Sequence, residues 1–226
     1  MNLDEVLLVD KPKGWTSFDV VGKIRSQLRS LTGQKVKVGH AGTLDPLATG
    51  LLIVLVGKAT KRQDDFMKQD KVYEVAMKLG QTSTTADEEG EKIVVSDREP
   101  SREEVEQAVL QFVGEISQIP PAYSAIKVNG QRAYKLARAG KEVTIEPRNV
   151  TIYAIEQIEY EYPTVRFTAK VSSGTYIRSL VTDIGEVLST GAYMSDLRRT
   201  QIGDFAVADA VLPEAALTGV SLGVDT

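Results

Sequence analysis

Gly50-Leu-Leu-Ile-Val-Leu-Val-Gly57 sets six consecutive apolar residues between two glycines. The run is far too short to cross a bilayer, which takes about 20 residues as a helix. It is consistent with a strand buried on both faces, and such a strand needs a covering layer on each side. With 226 residues the chain can bury a core of that size, most simply as a single domain over residues 1–226. Its first residues, MNLDEVLLVD, have an acidic flank and a short apolar run rather than the basic start and long apolar core of a secretory signal. We therefore expect a cytoplasmic protein without membrane association.

The absence of cysteine removes disulfides, thiolate nucleophiles and zinc ribbons, and a single histidine leaves no His-rich metal site. The chemistry has to run on carboxylate, hydroxyl, phenol, lysine or arginine, and no metal ligand set is expected. The net charge of -4 conceals a pattern. Residues 1–63 hold ten Lys/Arg against five Asp/Glu and residues 121–148 hold six against two, whereas 64–120 and 149–226 are acidic. Two basic zones in an acidic body give a polyanion one side on which to land.

Around the apolar run, the spacing predicts a strand over Glu5–Asp10, a turn at Lys11–Trp15, and a helix opened by Thr16 and Asp19 as a capping box. Phe18, Val21, Ile24, Leu28 and Leu31 form the apolar stripe of that helix. Tyr73, Val75, Met77 and Leu79 alternate with polar or small residues, as in a half-buried strand. Thr82–Glu91 reads as a polar surface loop, and Ser101 with Glu104 caps a helix carrying Val105, Ala108, Val109 and Phe112. Strands over Val150–Ile158 and Val165–Val171, a helix with Arg178 in its first turn, and a last strand around Leu197–Phe205 follow. Strands and helices mix without regular alternation, so the class is α+β.

Between the first helix and the apolar run lies VGHAGTLDPLATG. Asp45 precedes a proline, which biases it to extended geometry, and it enters a buried strand from a glycine-bearing loop. A carboxylate held in this way stays accessible on a fixed backbone, as a nucleophile requires. The same Leu-Asp-Pro string also serves as plain turn chemistry.

The segments LLVDKPKGWTSFDVV, VGHAGTLDPLATGLLIVLVGKATK, KVYEVAMKLGQTSTTAD, IPPAYSAIKVNGQRAYKLAR, SSGTYIRSL and LRRTQIGDF, in this order, resemble the bacterial tRNA pseudouridine synthase B (TruB) family over most of residues 6–205. The resemblance implies the pseudouridine synthase fold, a mixed and largely antiparallel sheet flanked by helices, with a thumb inserted at about residues 125–148. It implies an isomerase that turns uridine 55 in the TΨC loop of tRNA into pseudouridine without metal or organic cofactor. Asp45 would then be the catalytic residue, Arg178 its counter-cation and Tyr73 the active-site tyrosine. His40 and Gly42 would hold the reorganised RNA loop as the target base flips out, and Leu197 would line the pocket. Lys11 and Lys13 would support the site or contact RNA backbone. In the basic excursion, Lys127, Arg132, Lys135, Arg138 and Lys141 would meet phosphates and Tyr134 a base.

Exchanging an N-glycosidic for a C-glycosidic bond requires breaking the bond to N1, turning the trapped uracil and rejoining the sugar at C5. A carboxylate can assist by attacking the sugar carbon, by taking a proton from C2′ to give a glycal, or by adding to C6. Each route needs Asp45 ionised where water is excluded, although desolvation favours its neutral form. The guanidinium of Arg178 would hold that charge. A complex keeping the two side chains more than about 6 Å apart would remove this pair.

Only 26 residues follow Thr200, too few for the PUA-type domain that many family members carry. The expectation is a short form, monomeric and without an obligatory protein partner, that grips the T arm of tRNA with its body and thumb. The competing reading from the same residues is a tRNA-binding and folding module on that scaffold.

Overall fold

Alternate residues of the apolar run enter two different cores. In the computed structural model, which describes residues 4–121, 123–124, 126–128, 130–140 and 144–218, the chain forms two compact units. The first comprises residues 1–74 and 197–226, the second residues 75–196. The first opens with β1 (Asp4–Lys11), α1 (Ser17–Thr32), β2 (Val38–Ala41), β3 (Thr49–Gly57), α2 (Gln63–Met67) and the start of β4 (Lys71–Leu79). Strands β1 and β2 both pair antiparallel with β3. Leu52, Val54 and Val56 of β3 pack with Leu7 and Val9 of β1 and with Val20, Val21, Ile24 and Leu28 of α1. Leu51, Ile53 and Leu55 face the other way, onto Ala41, Ala59, Phe66 and Ile202. Each such side chain contributes about 1.5–3 kcal/mol by leaving water, which is why a six-residue run tolerates no polar position.

The capping box of α1 forms as the sequence predicts: Thr16 Oγ1 accepts from the Asp19 amide, and the Asp19 carboxylate accepts from the Thr16 amide at 2.7 Å. Aspartate, though shorter than the usual Glu or Gln, closes the box. The predicted stripe is corrected at its ends. Phe18 and Leu31 are 68% and 59% exposed, and Ser17 and Val20 take the inward places beside Val21, Ile24 and Leu28. A helix offers two overlapping i, i+3, i+4 stripes here, and only the neighbouring sheet chooses between them.

The second unit continues with the rest of β4, then β5 (Gln81–Ser83), β6 (Lys92–Val94), α3 (Arg102–Leu110), β7 (Gly114–Gln118), β8 (Lys127–Val128), β9 (Gln131–Arg132) and α4 (Ala133–Arg138). It closes with β10 (Arg148–Glu161), β11 (Thr164–Val171), α5 (Ile177–Val187) and the start of β12 (Ala192–Ile202). Strand β10 pairs antiparallel with β7 on one side and β11 on the other. Buried Tyr73, Val75, Met77 and Leu79 alternate along β4 as expected. The basic excursion is a short hairpin, β8 to β9, running directly into α4. Phe112 lies beyond the end of α3 rather than within it. Residues 82–91 are not merely a surface loop, because Asp87 within them is 2% exposed.

Strand β12 begins at Ala192, earlier than the sequence suggested, and in the first unit it runs parallel to β3 before pairing with β13 (Phe205–Ala206). The parallel register sets Arg199 opposite Gly50. A Cβ on Gly50 would lie 2.2 Å from the Arg199 carbonyl oxygen, and its φ is +99°, so this close approach is open to glycine alone.

Candidate functional site

In the first unit the loop between β2 and β3 carries Asp45, and its neighbours hold it by hydrogen bonds at several points. Ser17 Oγ, at the start of α1, accepts from the Leu44 amide at 2.9 Å and donates to the Leu44 carbonyl at 3.1 Å. The Lys11 ammonium donates to the carbonyls of Trp15 at 2.6 Å, Pro12 at 3.0 Å and Pro46 at 3.3 Å. The Gly14 amide reaches the same Pro46 carbonyl at 2.8 Å. From β12, Arg199 Nε donates to the Leu51 carbonyl at 2.8 Å and NH2 to the Gly42 carbonyl at 2.9 Å. One guanidinium therefore ties together the two ends of the segment that holds Asp45.

Gly42 has φ +85°, and a Cβ there would sit 3.4 Å from the Arg199 guanidinium. That is ordinary contact, so the positive φ rather than crowding calls for glycine here. Arg199 is 1% exposed and Lys11 is wholly buried. Through its hydrogen bonds Lys11 supports the loop, whereas Lys13 is exposed. Tyr73 and Leu197, each 8% exposed, belong to β4 and β12 of the same unit. His40 in β2 is half-buried, and burial first, then the Arg199 cation, lowers its pKa below the ordinary histidine value.

In the second unit Arg178 occupies the first turn of α5, as the sequence placed it, and is 7% exposed. Its NH1 faces Asp87 Oδ2 at 3.4 Å and the Thr85 carbonyl at 3.3 Å, and its NH2 donates to the Tyr123 carbonyl at 2.7 Å. Asp87 Oδ1 accepts from the Thr85 hydroxyl and from the Glu89 amide. Lys92 gathers the carbonyls of Asp87, Glu88 and Gly90 and lies 4.6 Å above the Tyr193 ring, which fixes the turn carrying Asp87. Removing one partner of a buried pair typically costs about 3–5 kcal/mol. Since Arg178 keeps its carbonyl acceptors, Asp87→Ala is expected to cost about 3 kcal/mol, seen as a fall of roughly 6–12 °C in Tm.

Asp183, also on α5, has its pKa raised to about 6 by burial and then by Glu186. Because the folded value exceeds the unfolded one, this group favours folding fully below about pH 3.9 and loses that contribution as pH rises through about 6. Asp183→Asn is expected to raise Tm by about 3 °C at pH 7, roughly 1 kcal/mol after allowance for partial exposure, with no gain at pH 3.5. A gain of equal size at both pH values would refute this origin.

Of the residues expected to meet RNA in the basic excursion, Lys135 is exposed on α4. The backbones of Lys127, Arg132, Tyr134 and Arg138 belong to β8, β9 and α4, but their side chains lie outside the described residues, as does Lys141 altogether. Among the described residues, no cluster of three or more His, Cys, Asp or Glu could hold a metal ion.

The family described as "TruB family pseudouridylate synthase (N terminal domain)" matches residues 29–177, and the "tRNA pseudouridylate synthase B C-terminal domain" matches residues 178–217. The chain belongs to the TruB family. This TruB-family chain is 48% identical over 212 residues to the tRNA pseudouridine synthase B of Parabacteroides distasonis, spanning 93% of itself and 90% of that relative. To the enzyme of the same name in Pseudomonas syringae pv. syringae it is also 48% identical, over 94% of itself and 68% of the relative. Among solved structures it resembles a chain in a Cbf5-Nop10-Gar1 complex, with a TM-score of 0.69 and 32% identity over 92% of itself and 51% of that chain. A chain of an H/ACA RNP bound to a substrate RNA containing 2′-deoxyuridine gives 0.63 and 31%, over 89% of this chain and 48% of that one. The TruB-family chain thus spans about half the length of those two.

Sequence reasoning on this TruB-family chain missed Asp87 as the partner of Arg178 and Arg199 as the brace of the Asp45 loop. Asp87 sits among Glu88, Glu89 and Glu91, where one more carboxylate carries no periodic signal. Arg199 follows another arginine in Leu197-Arg-Arg-Thr200, and strand alternation alone marks it as the inward one of the two.

Proposed function

We propose that this chain isomerises uridine 55 in the T loop of tRNA to pseudouridine, with Asp45 as the catalytic carboxylate. The observation that carries the reading is the Asp45 loop, braced by Ser17, Lys11 and Arg199, in a chain of the TruB family. A braced loop can present one carboxylate to a flipped base at fixed geometry, and such positioning lowers a barrier by sparing the entropy of bringing the groups together. In the reaction the C1′–N1 bond breaks, uracil turns, the C1′–C5 bond forms, and N1 carries a hydrogen in place of the one lost from C5.

Tyr73 would stack against the turned base, with Leu197 beside it and His40 and Gly42 on the RNA loop. That Arg178 also serves as the cation of Asp45 rests on the family resemblance. The basic excursion, with Lys135 exposed, would meet the T-arm phosphates. As an enzyme acting on tRNA it would work in the cytoplasm, with neither cofactor nor protein partner.

The test uses the purified chain alone on a tRNA transcript carrying tritium at C5 of uridine. Stoichiometric tritium release, mapped to the T-loop uridine, is the expected result. Binding without release would replace the enzyme by an RNA-folding module, and release mapped elsewhere would overturn the position.

A further inference from the structure

Phe18 keeps 68% of its surface in contact with solvent, although α1 has an apolar side buried through Val20, Val21, Ile24 and Leu28. A single exposed apolar residue is commonplace, but this one is held in place. The preceding residue, Ser17, is bonded to both backbone groups of Leu44, the neighbour of Asp45. The Phe18 ring meets the His40 ring edge-on, with centroids 5.7 Å apart and planes at 87°. His40 Nδ1 is buried without a hydrogen-bond partner among the described residues. The pKa of His40 lies below the usual value because of burial first and then Arg199.

These features leave one flat aromatic face open to water beside the Asp45 loop, in the part of the chain, residues 1–63, with twice as many basic as acidic residues. Exposed Lys13 lies five residues before Phe18. An exposed π-face in a basic stretch of chain suits a stacked base. A protein partner burying Phe18 would not need the basic setting. We propose that Phe18 is an RNA-contacting residue whose exposed face stacks on a loop nucleobase flanking the target uridine while its ring packs against that of His40.

This inference rests on the tRNA reading above and adds a contact that orients the RNA loop. The probe is a T-arm hairpin, titrated against wild type, Phe18→Leu and Phe18→Trp at several salt concentrations. Leucine keeps apolar bulk but has no π-face, so the dissociation constant is expected to rise about tenfold, the effect of one lost base stack. Tryptophan should bind at least as tightly as phenylalanine. The slope of log Kd against log salt should not move, since no phosphate contact is removed.

Replacing loop nucleotides one at a time by abasic residues should abolish the leucine penalty at a single position and leave it elsewhere. Phe18→Leu binding within twofold of wild type would overturn the proposal. So would equal losses in the leucine and tryptophan variants, or a penalty that no abasic position relieves. Failure of wild type to bind the hairpin would count against the tRNA reading itself and remove this inference with it; the wild-type arm alone reports that failure.

Discussion

Asp45→Asn is expected to abolish tritium release, lowering the single-turnover rate at least about 10³-fold, while the protein folds and binds the T-arm hairpin as before. A thousandfold is about 4 kcal/mol of transition-state stabilisation. Asparagine keeps the shape of aspartate and its carbonyl acceptor but cannot attack carbon or take a proton at neutral pH. The bonds from Lys11, Ser17 and Arg199 that brace the loop reach the backbones of Gly42, Leu44, Pro46 and Leu51, which the substitution leaves in place. These backbone bonds are expected to keep the variant folded, which a single cooperative thermal transition would show. A rate within tenfold of wild type would take the chemistry away from Asp45.

Arg199→Met should combine both kinds of damage. Hydrogen bonds from a charged donor contribute about 1.5–3 kcal/mol each, and the guanidinium makes them to the Gly42 and Leu51 carbonyls. Methionine is comparably long and apolar, so part of that loss is offset by easier burial. The expected net cost is about 3 kcal/mol. Releasing the loop end at Gly42 lets Asp45 drift, and a displacement of about 1 Å can lower a rate roughly 10²-fold.

A second readout separates this role from simple destabilisation. His40 is the only histidine, so its titration can be followed by NMR without assignment. Arg199 is one of the causes of its lowered pKa, after burial, and the pKa should rise when the arginine is removed. Loss of stability with an unchanged rate and an unchanged His40 titration would show Arg199 to be a core support only.

Strand β3, the alternation in β4 and both capping boxes were legible because each is encoded within a dozen residues: an unbroken apolar run, a period of two, and Ser or Thr three places before an acid. The ends of the α1 stripe were not, because Phe18 fits helical spacing as well as Val20 does, and burial depends on what packs above. Asp45 stood out in the sequence through its motif, whereas the arginine that ties its loop lay 157 residues from Gly42.

By itself the sequence determined the buried strand β3, the alternation of β4, both helix caps and the family, and it singled out Asp45, since local periodicity and a contiguous motif are properties of neighbours in the chain. Only the tertiary structure decided that Lys11 and Arg199 brace the loop and that Asp87 faces Arg178. It likewise left Phe18 in water. A charged side chain acquires such a role when folding strips its water and supplies carbonyls or a carboxylate instead, and those partners come from distant parts of the chain.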